Sequence, residues 1–197
     1  MNPLAFWYEF ASPYSYLAAV RIGPLAAAAG RSLAWRPFLL GPIFAAQGWN
    51  DSPFNIYPAK GAYMWRDMER LCDLHELPWR RPSAFPRNGV KAARLALALD
   101  QDSARADFSQ AVFAANFFAD RDIGAAEVLA EIVTELGLPA EQLALRAESL
   151  PIRGLLRAQT AEAIRLGIFG APSFTVGNEL FWGHDRLGHA LAWRRRP

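Results

Sequence analysis

The sequence predicts an α/β domain interrupted by an all-helical insertion. Three observations predict it: the chain opens as strand, helix, strand; its long middle stretch has helical spacing broken by turn signals; and strand patterning returns near the end. The implied division is residues 1–45 and 167–197 for the α/β part and 46–166 for the insertion.

Leu4 to Phe10 is a dense aromatic and aliphatic run of strand length, with Glu9 near its end, and reads as a buried strand that stops at Ala11-Ser12-Pro13. Ser15 to Ala29 is Ala-rich with Leu17, Val20, Ile22 and Leu25 and closes at Gly30, which suits a helix that Gly23-Pro24 would kink or break. Ser32 to Phe38 reads as a second strand. Gly41 to Pro58, rich in Gly, Pro, Asn and Trp, reads as a long irregular loop and a candidate substrate wall. Helical spacing then runs over Ala59 to Leu77, Lys91 to Leu99, Arg105 to Phe118, Ala125 to Leu136, Glu141 to Glu148 and Ile152 to Leu166. Ser103 and Pro139 stand near two of the starts and Gly137 follows one end. Ser173 to Val176, the turn Gly177-Asn178, and Glu179 to Trp182 form a hairpin, and a last helix runs from His184 or Asp185 to Trp193. There is no internal repeat.

Composition narrows the function classes. About half of the 197 residues are apolar, enough for a substantial core, and the formal net charge is only +2. Basic residues are scattered except for Arg194-Arg195-Arg196, a run that suits phosphate but reads first as a solvated tail, so no basic stripe points to nucleic acid. Cys72 is the only cysteine, which rules out an internal disulfide and favours a reducing compartment. The first residues lack a basic segment, Glu9 and Pro13 interrupt any apolar leader, and no apolar run is long enough to cross a bilayer. The expectation is a cytoplasmic protein with no membrane partner. His75, His184 and His189 lack metal-ligand spacing, so no metal site is expected.

Two short segments carry chemistry. Ser12-Pro13-Tyr14-Ser15 lies where a buried strand hands over to a helix, so backbone N–H groups converge near Ser12 and attract anions; the same residues also suit an ordinary Ser cap followed by Pro. Gly170-Ala171-Pro172-Ser173-Phe174 puts a proline where a strand begins, and a cis Ala171-Pro172 bond is expected there. Thioredoxin-like proteins oppose a strand-to-helix turn and a cis-proline loop in this order.

Phe10-Ala11-Ser12-Pro13-Tyr14-Ser15-Tyr16-Leu17-Ala18, Trp35-Arg36-Pro37-Phe38-Leu39-Leu40-Gly41, Tyr63-Met64-Trp65-Arg66-Asp67, Gly170-Ala171-Pro172 and Phe181-Trp182-Gly183-His184-Asp185-Arg186-Leu187 together resemble the 2-hydroxychromene-2-carboxylate isomerases, relatives of kappa-class glutathione transferases. The resemblance covers nearly the whole chain. It implies a thioredoxin-like domain with a helical insertion, a homodimer, and glutathione as cofactor. It places Ser12 and Ser15 where related oxidoreductases carry two cysteines, and hydroxyls cannot cycle through a disulfide. The thiol must then arrive on the ligand, with the Ser12 hydroxyl donating to its thiolate.

By the same resemblance Ala171, before Pro172, pairs with the cysteinyl backbone of glutathione, while Gly183, His184 and Asp185 hold its γ-glutamyl end. Asn50, Asn55, Pro86, Arg87 and Asn88 match positions near the second half of the site, and each also suits a turn or cap. Lys60 and Arg87 are candidate partners for a substrate carboxylate. Trp49, Trp65 and Trp79 suit either an aromatic pocket wall or core packing. Ala45 stands where the family carries a lysine, and Cys72 reads as a packed thiol. The implied activity is a glutathione-dependent cis–trans isomerisation of an aromatic unsaturated keto acid. A kappa-like transferase is one alternative and a non-catalytic thioredoxin-like binding module another; retention on immobilised glutathione separates the module from both enzymes.

Overall fold

The structure is a computed structural model, and it describes residues 3–193. The arginine run at 194–196 lies outside the described residues. Four strands, β1 (Leu4–Tyr8), β2 (Leu33–Pro37), β3 (Ser173–Val176) and β4 (Glu179–Trp182), form one sheet in the order β2-β1-β3-β4. β1 is central. It pairs in parallel with β2, Trp7 opposite Arg36, and antiparallel with β3, Phe6 opposite Phe174. A central strand with helices on both faces has no solvent face, which is why Leu4–Tyr8 is apolar throughout rather than alternating. The hairpin lies where the sequence places it, and Gly177 (φ 60°) supplies the positive φ its two-residue turn needs.

α1 (Pro13–Ala28) begins at the Ser12 cap and packs against α6 (Asp102–Phe117) and α10 (Leu187–Ala192). The expected break at Gly23-Pro24 does not occur. The helix runs through Pro24, because one missing N–H is tolerated where Ile22 and Ala26 on either side are fully buried in the core. The segment expected to be an irregular loop also differs, for it contains α2 (Leu40–Ala46) and α3 (Pro53–Ile56). α4 (Pro58–Leu74), α5 (Val90–Ala98), α6, α7 (Ala126–Glu135), α8 (Ala140–Glu148) and α9 (Leu150–Arg165) follow the expected helical stretch to within a few residues. Ser103 lies inside α6, whereas Pro139 caps α8. α2 spans the expected boundary at residues 45/46. The last helix is a 3₁₀ turn, His184–Arg186, running into α10.

The main core joins both parts of the chain: Phe6, Tyr8 and Phe10 from the first strand run meet Phe108, Phe113 and Phe117 of α6. Trp65 and Trp79 pack here, with ring centroids 6.2 Å apart. A smaller cluster on the other face sets Trp7 and Phe38 against Ala163 and Ile168. The residues after β1 are thereby fixed from both sides.

Candidate active site

A cavity of about 1230 Å³ opens where β1 ends, walled by the Ser12 turn, α2, the 85–89 segment, the Phe169–Pro172 loop and the 3₁₀ turn. Ser12 is the N-cap of α1. Its hydroxyl accepts from the Ser15 N–H (3.2 Å) and donates to the Ala171 carbonyl (2.9 Å), joining residues 159 apart in the chain. The Ala171–Pro172 bond is cis as expected, and Phe85–Pro86 is cis as well. Pro172 accepts from the Gly183 N–H (2.9 Å), which ties the loop to the 3₁₀ turn. Gly170 is required beneath Trp182, because a Cβ there would lie 2.4 Å from the indole nitrogen.

His184 stacks on Tyr14 (5.4 Å, 5°), whose hydroxyl donates to Asp67 (2.9 Å). Burial lowers the His184 pKa and Arg21 adds to that, against the pull of Asp185 and Asp67. Its Nδ1 is buried without a hydrogen-bond partner among the described residues. Asp185 is half exposed beside Arg186 (3.5 Å).

The cavity wall includes Ser12, Ala171, Pro172, Gly183, His184 and Asp185, and on the other side Asn50, Pro86, Arg87 and Asn88. Asn55 is not among its lining residues; the side chain is spent on Asp51 (3.1 Å) and the Phe85 carbonyl (3.2 Å). The Arg87 guanidinium does not reach out to a ligand. It is buried and donates to Asn116, to the Asp120 carboxylate and carbonyl, to Ser83 and to the Arg121 carbonyl. Asn88 caps the Val90 N–H (2.9 Å). Lys60 lines the cavity with its ammonium 5.4 Å from the Tyr57 ring centroid, and Trp49 lines it beside Phe44. Cys72 is buried in α4, off the wall, and burial pushes its thiol up to about 12.

Glu9 was legible only as a polar residue in an apolar strand. Its backbone carbonyl accepts from the Ser12 N–H (3.0 Å) and its buried carboxyl lines the cavity. Burial pushes that carboxyl up to about 7, against the opposing pull of the Leu40, Ala11 and Phe10 N–H groups.

A family profile described as "DSBA-like thioredoxin domain" matches residues 3–191. The sequence is 33% identical to 2-hydroxychromene-2-carboxylate isomerase of Sphingobium xenophagum, over 92% of each chain. The chain belongs to the 2-hydroxychromene-2-carboxylate isomerase family, within the DsbA-like thioredoxin proteins. A solved structure of 2-hydroxychromene-2-carboxylate isomerase superposes with a TM-score of 0.84 at 25% identity, covering 93% of this chain and 90% of that one. A kappa-class protein of Caenorhabditis elegans, glutathione S-transferase kappa 2, is 23% identical over 98% of this chain and 91% of its own. The α/β fold with a helical insertion is thus the DsbA-like thioredoxin fold, and membership of the isomerase family makes the cavity the candidate active site. Among the described residues no helix is long and apolar enough to cross a membrane, and no three His, Cys, Asp or Glu side chains cluster as metal ligands would.

Proposed function

We propose that this chain is a glutathione-dependent isomerase of an aromatic unsaturated keto acid, converting 2-hydroxychromene-2-carboxylate to trans-o-hydroxybenzylidenepyruvate. The observation that carries the reading is the pairing of the Ser12 hydroxyl, at the positive end of α1, with the Ala171 carbonyl across a cavity that has no cysteine on its wall.

The residues present fit glutathione. Its carboxylates, ammonium and thiol need a cation, an anion and helix N-termini, and the wall offers Arg186, Asp185, Asp67, the 3₁₀ turn and the Ser12 turn, with the His184 Nδ1, unpartnered among the described residues, beside them. The cavity exceeds the usual upper range of roughly 1000 Å³ for a single small ligand, which leaves room for a second molecule. Glutathione bound there supplies the thiolate that adds reversibly to the conjugated double bond, frees rotation about it and leaves again. Ser12 turns its proton from the Ala171 carbonyl to the sulfur and stabilises the anion; Ala171 then has its carbonyl available for the peptide backbone. Phe44, Trp49 and Phe85 provide an apolar surface for the aromatic ring, and Lys60 provides a cation for its carboxylate. The reading includes a cytoplasmic homodimer.

Ala45 favours a second reading. It lies on the acceptor wall, where the family lysine would add a cation, so a kappa-like transferase acting on a different electrophile fits this wall as well.

The test is glutathione-dependent turnover of the chromene together with ultraviolet titration of the bound thiolate. Replacing Ser12 with Ala removes one hydrogen bond to a charged group, so the thiol pKa should rise by about one to two units with the fold intact. An unchanged pKa with unchanged turnover removes Ser12 from the mechanism. Conjugation without isomerisation selects the transferase.

A further inference from the structure

Glu9 is 7% exposed, and among the described residues it forms no ion pair. Its two oxygens are divided between two chain segments: Oε1 accepts from the Ala11 N–H (3.4 Å) in the Ser12 turn, and Oε2 from the Leu40 N–H (3.1 Å), the first residue of α2. α2 has no side-chain cap of its own, so its first N–H is satisfied by a residue 31 positions away. A third segment closes over the same carboxyl: a Cβ on Gly89, the cap position of α5, would lie 2.6 Å from Oε1 and 3.1 Å from the Phe10 Cβ. The turn, α2 and the 85–89 segment are three walls of the cavity, and they meet at this group.

We propose that Glu9 is a positioning residue whose ionised carboxylate holds the Ser12 turn and α2 at a fixed separation, so that the thiol half and the acceptor half of the cavity keep one geometry. The inference takes from the proposed function only that these two walls serve one site. An apolar side chain would fill the space without the cost of a buried charge, but only a carboxylate accepts N–H groups on both oxygens. Glutamine turns an NH₂ donor toward one of the two amides, and protonation likewise leaves one oxygen bearing a proton. α2 carries Pro42, Phe44 and Ala45 on the acceptor wall and relies on Oε2 for its first N–H, whereas the Ser12 turn is also tied by the Ser12 N–H to the Glu9 carbonyl and by the Ser12 hydroxyl to Ala171, so loss of the carboxylate moves the α2 wall further than the cap of α1. The other titratable groups of β1, of the Ser12 turn with α1, and of the 85–98 stretch are Tyr8, bonded to Ser109; Tyr14, bonded to Asp67; Tyr16, bonded to the Pro78 carbonyl; Arg21; Arg87, paired with Asp120; Arg94, paired with Glu148; and the exposed Lys91. α2 carries none.

The experiment has a ligand-free arm and a ligand arm. In ¹H–¹⁵N spectra of the wild type, the Leu40 and Ala11 amides should shift together with one midpoint near pH 7, and this titration should vanish in Glu9→Gln. At pH 8, Glu9→Gln should lose about tenfold in affinity for S-benzylglutathione, which spans both halves, and under threefold for glutathione itself, and Glu9→Asp should recover part of the loss. Amides that do not titrate together in the wild type overturn the proposal. So does an equal loss of both ligands, or full affinity in Glu9→Gln. If the wild type binds neither compound, the glutathione reading fails, and the amide titration still decides the role of Glu9.

Discussion

Two buried charges line the cavity and are held in opposite ways. Arg87 is surrounded by acceptors: the Asp120 carboxylate, the Asn116 amide, a serine hydroxyl and three backbone carbonyls. Among the described residues Glu9 has no cation beside it, only amide N–H groups. Asn116 links the two, accepting from Arg87 and donating to the Phe10 carbonyl next to Glu9 (3.0 Å). A fully compensated charge serves as a clamp. A charge held by dipoles alone sits near the point of neutralisation, and the shape of the site depends on which form it takes.

The largest effect is expected from Arg87→Leu, which strands the acceptors around it; stability should fall by about 3 kcal/mol or more, measured by urea denaturation. A stable Arg87→Leu protein with substrate binding alone abolished would make Arg87 the ligand residue its sequence position suggested and end the comparison. Asp120, held at about 2 by the Ser83 N–H first and Arg87 next, stabilises the fold above the ordinary carboxylate range, and that contribution disappears as the pH falls from there toward 2.

Glu9 should act with the opposite sign. Its folded pKa, about 7, lies above the ordinary value of 4.5, so its burial costs nothing below that ordinary value and destabilises progressively as the pH rises to 7. Over that window wild type should lose about 3 kcal/mol relative to Glu9→Gln. Parallel stability curves for the two proteins would mean that the carboxyl is solvated. Cys72→Ala should have the smallest effect, about 1 kcal/mol or less with glutathione-dependent turnover retained, because this buried group stays neutral throughout. Loss of turnover in a folded Cys72→Ala protein would place the reactive sulfur on the chain instead of on its ligand.

The sequence revealed what local pattern encodes and missed what distant partners decide. The hairpin from Ser173 to Trp182 is legible because two short strand-like runs flank the turn Gly177-Asn178 in adjacent residues. α2 was hidden because its cap comes from Glu9 in another element, and a Gly- and Pro-rich segment without a local cap reads as loop. Pro24 misled because tertiary packing outweighs one lost backbone bond. Among the site residues, the Ser12 turn and the Ala171–Pro172 loop were legible from their order in the chain. Arg87 and Asn55 lie beside residues that line the cavity, but which way a side chain points depends on acceptors at Asp120 and Asp51 that spacing does not reveal.

The sheet order also governs when a working site can exist during synthesis. β1 finds one neighbour, β2, within a few dozen residues, but its other edge waits for β3, whose Thr175 accepts from the Trp7 indole 168 residues on. The helices between them close by local contacts and can form first. A growing chain that has not yet delivered residue 173 therefore carries an aromatic strand with one edge unpaired, the kind of surface that invites pairing with another chain. Ser12 at that stage has no Ala171 to face. Delivery of residues 171–182 therefore covers the open edge of β1 and completes the wall of the candidate site at the same stage.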